Sequence, residues 1–185
     1  MKSSEATILI LPGLGGGTEG HWYARWRAGL RTAEAVDLDD WSHPAREDYG
    51  SAIAAAVAAA ARPVVLVGHG YGALAAVHAA RGMPEGKVRG AFLAAIPDVD
   101  APGLHAVAET YRPLPREPLP FPSLVLASRT DPHCGFDVAA DLAGAWGSRL
   151  VDLRESGSVD PESGHGPWPE GLMTFGKFLS QLGPA

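Results

Sequence analysis

The stretch Val67-Gly68-His69-Gly70-Tyr71-Gly72-Ala73 follows a short apolar run and precedes a helical pattern. Strand, Gly-x-centre-x-Gly, helix is the frame in which small flanking residues let a tight turn lift the central side chain above the edge of a sheet. In acyl transfer that centre is a serine. Here it is Gly70, which has no side chain to attack anything. The other part of such a site is backbone: amides that stabilise a developing oxyanion come from the residue after the centre, Tyr71, and from the loop after the first strand, near Leu14. Changing side chains does not remove amides. Together with the helix N-terminus and the empty volume at Gly70, they predict a place for a carboxylate, a sulfate or a similar small anion.

Other residues offer a replacement for the missing serine, and each has a plainer reading. His69 precedes the turn and is expected to point sideways into the protein. His133 and Cys134 form a Cys-His pair, which is nucleophilic when the thiolate is stabilised; they are adjacent in sequence, which suits that poorly. His165 lies in Gly164-His165-Gly166-Pro167-Trp168, where a surface or capping role fits better than catalysis. The seven histidines show no clustering with carboxylates at metal-ligand spacing, so no metal is expected, and no cofactor. Gly15-Gly16-Gly17-Thr18-Glu19-Gly20 satisfies G-x-G-x-x-G, with Asp37 about twenty residues on. As a dinucleotide site it fits badly, because Pro12-Gly13-Leu14 intervene after the strand and the helix begins near Trp22, beyond the last glycine.

Alternating elements position these residues. Ile8–Leu11, Val64–Val67, Val88–Ala94, Leu124–Leu126 and Leu150–Val151 are short apolar runs that read as strands buried on both faces, with a weaker one near Ala35-Val36. Between them fall helical patterns over His21–Leu30, Tyr49–Ala61, Leu74–Ala80, Phe136–Trp146 and Pro169–Leu182. Such alternation predicts an α/β fold: a doubly wound, mostly parallel six-stranded sheet with helices on both faces, in order 2-1-3-4-5-6. Ligands of such sheets bind beyond the carboxyl ends of the strands, in the loops after Leu11, Val67, Ala94 and Ala127. Pro97–Pro122 holds seven prolines and interrupts the pattern as a long excursion, either a lid or an ordered crossover. The tryptophans at 22, 26, 41, 146 and 168 are explained mostly by helix packing, with some candidates for a pocket wall.

With 185 residues, a net charge of -6 and 46% hydrophobic residues, the chain has the makeup of one domain spanning residues 1–185. No clustered Lys/Arg face marks a nucleic-acid or anionic-membrane partner. The single cysteine, Cys134, excludes intramolecular disulfides and suits a reducing cytoplasm. Neither an export signal nor a membrane span is expected, since no window of about 18 apolar residues exists.

The chain resembles the α/β-hydrolase superfamily and, within it, the small serine hydrolases related to retinoblastoma-binding protein nine. The resemblance rests on Leu11-Pro12-Gly13 with His21-Trp22 and Trp26, on Asp39-Asp40-Trp41, on Gly68-His69-x-x-Gly72, and on Pro97-Asp98-Val99. It continues through Pro118-Leu119-Pro120-Phe121-Pro122-Ser123, Ala127–Pro132 and Ser163–Gly171. It implies a Ser-Asp-His triad: serine after the turn's histidine, aspartate in a Ser-x-x-Asp-Pro string, histidine in a Gly-His-Ile-Asn string. Asp131 matches the acid. The nucleophile position falls on Gly70, and the last string falls on Gly157-Ser158-Val159-Asp160, which puts Ser158 at the base position. Triad members act as a unit, so once one is gone the loss of a second costs little more. The resemblance therefore implies a hydrolase fold whose chemistry is silent or severely impaired, left to bind a small ligand or a protein partner. An active carboxylesterase is the alternative.

Overall fold

Thr7–Leu11 (β1) and Ser123–Ala127 (β5) are buried at every residue, as strands covered on both faces must be. With Ala33–Ala35 (β2), Val64–His69 (β3), Val88–Ala94 (β4) and Arg149–Asp152 (β6) they form one sheet in the order β2-β1-β3-β4-β5-β6, and every pairing is parallel. The structure, a computed structural model, describes residues 1–183. The expected domain runs to residue 185, so Pro184 and Ala185 lie outside the described residues.

The period-2 alternation of the strands sends side chains to two cores. Leu9, Leu11, Leu66 and Val125 face one side, against Arg46–Ala59 (α2), Tyr71–Ala79 (α3) and Phe136–Ala145 (α4). Ile8, Ile10, Val67 and Phe92 face the other, against Trp22–Gly29 (α1) and Pro169–Gln181 (α5). The alanine tract becomes α2, which buries only Tyr49, Ile53 and Val57, spaced four apart along one stripe. That helix begins at Arg46, three residues before the expected start, with Glu47 and Asp48 in its first turn, where the helix dipole favours negative charge. The third helix likewise starts early, at Tyr71, directly after Gly70.

The excursion from Pro97 to Pro122 is an ordered crossover. It contains a short 3-10 helix, Ala106–Tyr111, and is tied down along its length. The Tyr111 hydroxyl donates to Pro44 O at 2.8 Å, Arg112 Nε donates to Val99 O at 2.7 Å, and Trp146 Nε1 donates to Pro115 O at 2.7 Å.

Between β3 and α3 the chain reverses on one residue. Gly70 has φ 56° and ψ -125°; its amide donates to Ala94 O at 3.0 Å and its carbonyl accepts from Ala73 N at 3.1 Å. The turn fits only because its neighbours lack side chains: a Cβ on Gly72 would be driven into the Leu11 and Pro12 carbonyl oxygens, and one on Gly68 would meet the Ala73 backbone. At Gly70 itself a Cβ would find open space, its nearest neighbour being Gly13 Cα at 3.7 Å. The two positions therefore differ in tolerance. Gly72→Ala is expected to lose at least about 2 kcal/mol through overpacking against backbone. Gly70→Ala should lose less, about 1–2 kcal/mol, the cost of an L-residue at positive φ. Urea unfolding of both variants measures the contrast, and equal losses would contradict this account of the turn.

Candidate functional site

A cavity of about 440 Å³ opens at the carboxyl ends of β1, β3 and β4, and Gly70 forms part of its floor. Leu14, His69, Gly70, Tyr71 and Ser158 all line it; Asp131 stands one hydrogen bond behind, accepting from Ser158 Oγ at 3.2 Å. Of the residues singled out from sequence, these six are brought together, and His133 joins them in the wall. Cys134 and His165 are not in the wall.

Tyr71 opens α3, so its amide has no carbonyl of its own helix to bind. In the loop after β1, the Gly15 amide is taken by Trp41 O at 2.9 Å and that of Gly16 by Gly13 O at 3.1 Å. The Leu14 amide is left, among the described residues, without a protein acceptor. Both expected donor amides thus stand at the cavity.

Two loops carry Asp131 and Ser158, and they are laced together. Ser128 Oγ accepts from the Thr130 and Ser156 amides, and Thr130 Oγ1 accepts from the Gly157 amide at 3.1 Å. Asp131 Oδ1 also accepts from His133 N at 3.0 Å. Burial raises the Asp131 pKa against the opposing pull of those bonds. The backbone beyond is clamped from the other side: His69 Nε2 donates to Ser158 O at 2.8 Å, and Trp22 Nε1 donates to Val159 O at 2.9 Å. His69 therefore contacts the backbone of Ser158, not its hydroxyl, and serves as a positioning residue for this loop. No histidine bonds a serine or cysteine side chain here except His165, whose Nδ1 stands 3.5 Å from Ser163 Oγ, among the described residues.

The other replacement candidates lose their chemistry in the fold. Burial, reinforced by Asp98 and Asp131, pushes the Cys134 thiol up to about 12, so no thiolate forms near neutrality. The expected capping role of His165 is not seen: Trp168 is the N-cap of α5, and the His165 ring packs against it with centroids 6.2 Å apart. The glycines of the G-x-G-x-x-G run are accounted for by aromatic neighbours, since a Cβ on Gly16 would press into Trp41 and one on Gly17 into Tyr23. Among the described residues no group of three or more His, Cys, Asp or Glu side chains is placed to hold a metal, and no helix is long and apolar enough to cross a membrane.

Sequence reading missed His21, Tyr23, Asp160 and Glu162, which also line the cavity. His21 stacks on Tyr23 with centroids 3.7 Å apart and meets the edge of His69 at 4.7 Å. Its place directly after the glycine loop and before an apolar helix was a usable signal. Tryptophans 22, 26 and 168 pack under the sheet instead of lining the cavity. The wall carries Asp160 and Glu162 and no Lys or Arg, a charge that opposes the small anion which the amides alone would suit.

Burial, with a further push from His69, lowers the His21 pKa from 6.5 to about 3, and burial also lowers those of His69 and His78. The unfolded chain then takes up these protons first, so this stability is complete above about pH 6.5. It falls as the pH drops toward 3, by at most about 1.4 kcal/mol per pH unit for each histidine. Denaturant melts between pH 7 and pH 4 should show this acid limb, and His21→Phe, which keeps the stacking, should flatten it. An unchanged slope in the variant would contradict a neutral, buried His21.

A family model described as Serine hydrolase matches residues 8–177. No curated protein sequence matches the chain. Among solved structures, the chain is similar to a YdeN-like hydrolase from Pectobacterium atrosepticum, 31% identical with TM-score 0.85 over 96% of this chain and 92% of that one. It is also similar to the ydeN gene product of B. subtilis, 17% identical with TM-score 0.78 over 95% and 100% of the two chains. A third is the esterase domain of a Rhodothermus marinus protein, 18% identical with TM-score 0.69 over 96% and 87%.

Proposed function

The chain belongs to the serine hydrolase family, with an α/β-hydrolase fold, and from that premise we propose that it is a catalytically silent or severely impaired member that binds a small ligand where its relatives carry out hydrolysis. The observation that carries the reading is the apex of the β3–α3 turn. Gly70 holds the backbone of the turn and forms part of the cavity floor, yet presents no nucleophile.

Hydrolysis by the family's route needs an oxygen nucleophile, an imidazole to take its proton and a carboxylate to orient the imidazole. We assign Asp131 to the acid position and Ser158 to the base position. Ser158 donates to Asp131, as the imidazole would, but a neutral hydroxyl is far too weak a base to accept the nucleophile's proton. The unbonded amides of Tyr71 and Leu14 favour a second, weaker reading as a residual carboxylesterase, because donors of this kind retain some rate enhancement without the triad.

Restoring the missing side chains tests the proposal. The open space at Gly70 admits Gly70→Ser, and Ser158 is already bonded to the acid, so Gly70→Ser with Ser158→His should raise p-nitrophenyl acetate turnover at least about tenfold over the native chain. Each single change should raise it little, since the members act together. Native turnover matching the double variant would contradict the silent reading.

A further inference from the structure

We propose that the cavity above Gly70 selects a small organic cation, a protonated amine on an apolar body, over a carboxylate of the same shape. This rests on reading the cavity as a ligand site. Two observations converge on it.

The first is unbalanced charge. Asp160 lines the cavity half-buried, and Glu162 stands at its exposed rim. Burial works against ionisation of Asp160, but the Ser163 hydroxyl and amide, at 2.7 and 2.8 Å from Oδ1, outweigh it and hold the pKa below the ordinary value. Among the described residues no ion pair reaches Asp160 or Glu162, and no Lys or Arg lines the cavity. Burial keeps two of the lining histidines, His21 and His69, neutral.

An ammonium carries donors and no acceptor, and so complements these carboxylates, whereas a carboxylate does not. The second is the wall itself. The rings of Tyr23, Tyr71 and His21 and the side chains of Leu14 and Leu104 line the same space, giving π-faces for a cation and apolar surface for its body.

Benzylamine, benzyl alcohol and benzoate share one size and differ in charge, which makes them matched probes. Calorimetric titration of the full chain near pH 7.5 should give benzylamine affinity at least about tenfold above that of benzoate, with benzyl alcohol between. Asp160→Asn should cut the benzylamine-to-benzoate ratio at least about threefold, and Glu162→Gln, on the exposed rim and free of folding effects, should cut it less. Benzoate binding as tightly as benzylamine, no saturable benzylamine binding up to millimolar concentration, or a ratio unmoved by both variants would overturn the inference. Ester turnover by the native chain would overturn the silent reading alone and leave the charge order standing.

Discussion

A buried strand becomes a helix across a single residue, and the site depends on that turn. Gly70 sits at φ 56°, fixed by its bond to Ala94 O and by the helix that starts on its carbonyl. The constraint falls on the flanks, since Gly68 and Gly72 lie against backbone with no room for a Cβ. The apex carries no such restriction. The fold therefore keeps the turn, the Tyr71 amide and the cavity whether or not the apex bears a nucleophile, and loss of chemistry there does not entail loss of architecture.

The opposite wall is held by a different device. The loop carrying Ser158 contains Val159 at φ 53°, a strained conformation for a β-branched residue, and two ring donors grip its consecutive carbonyls, His69 on Ser158 and Trp22 on Val159. One donor comes from the end of β3 and the other from the start of α1, so the loop is fixed to both sides of the cavity mouth. His69 is thereby occupied in placing backbone. Its other nitrogen, Nδ1, faces Gly13 and is sealed from water, so this imidazole is not free to act as a base on a neighbouring hydroxyl.

Much of this was legible in the residues. The apolar runs placed all six strands within two residues and implied their order, because buried parallel strands need continuous hydrophobicity and short crossovers permit few topologies. Helix starts were harder: Arg46 and Tyr71 begin their helices through first-turn charge and turn geometry, which hydrophobic periodicity does not register. The motif strings located Gly70, Asp131 and Ser158, and the fold brings the last two within hydrogen-bond distance. What escaped was the character of the cavity. His21 lies more than a hundred residues from Asp160 and Glu162, and stands in one cavity wall with them only once the chain has folded. Counting amides alone suggested an anion site, and the two carboxylates of one neighbouring loop weigh against it.

The central claim is that the native chain presents no activated nucleophile at the turn. Intact-protein mass spectrometry after prolonged incubation with a fluorophosphonate probe tests it most directly, because the probe bonds covalently to any activated serine without requiring knowledge of the substrate. The account predicts an unmodified mass at a concentration that labels an active family member to completion. A stoichiometric adduct, mapped to Ser158 or any other residue of the cavity, would contradict it.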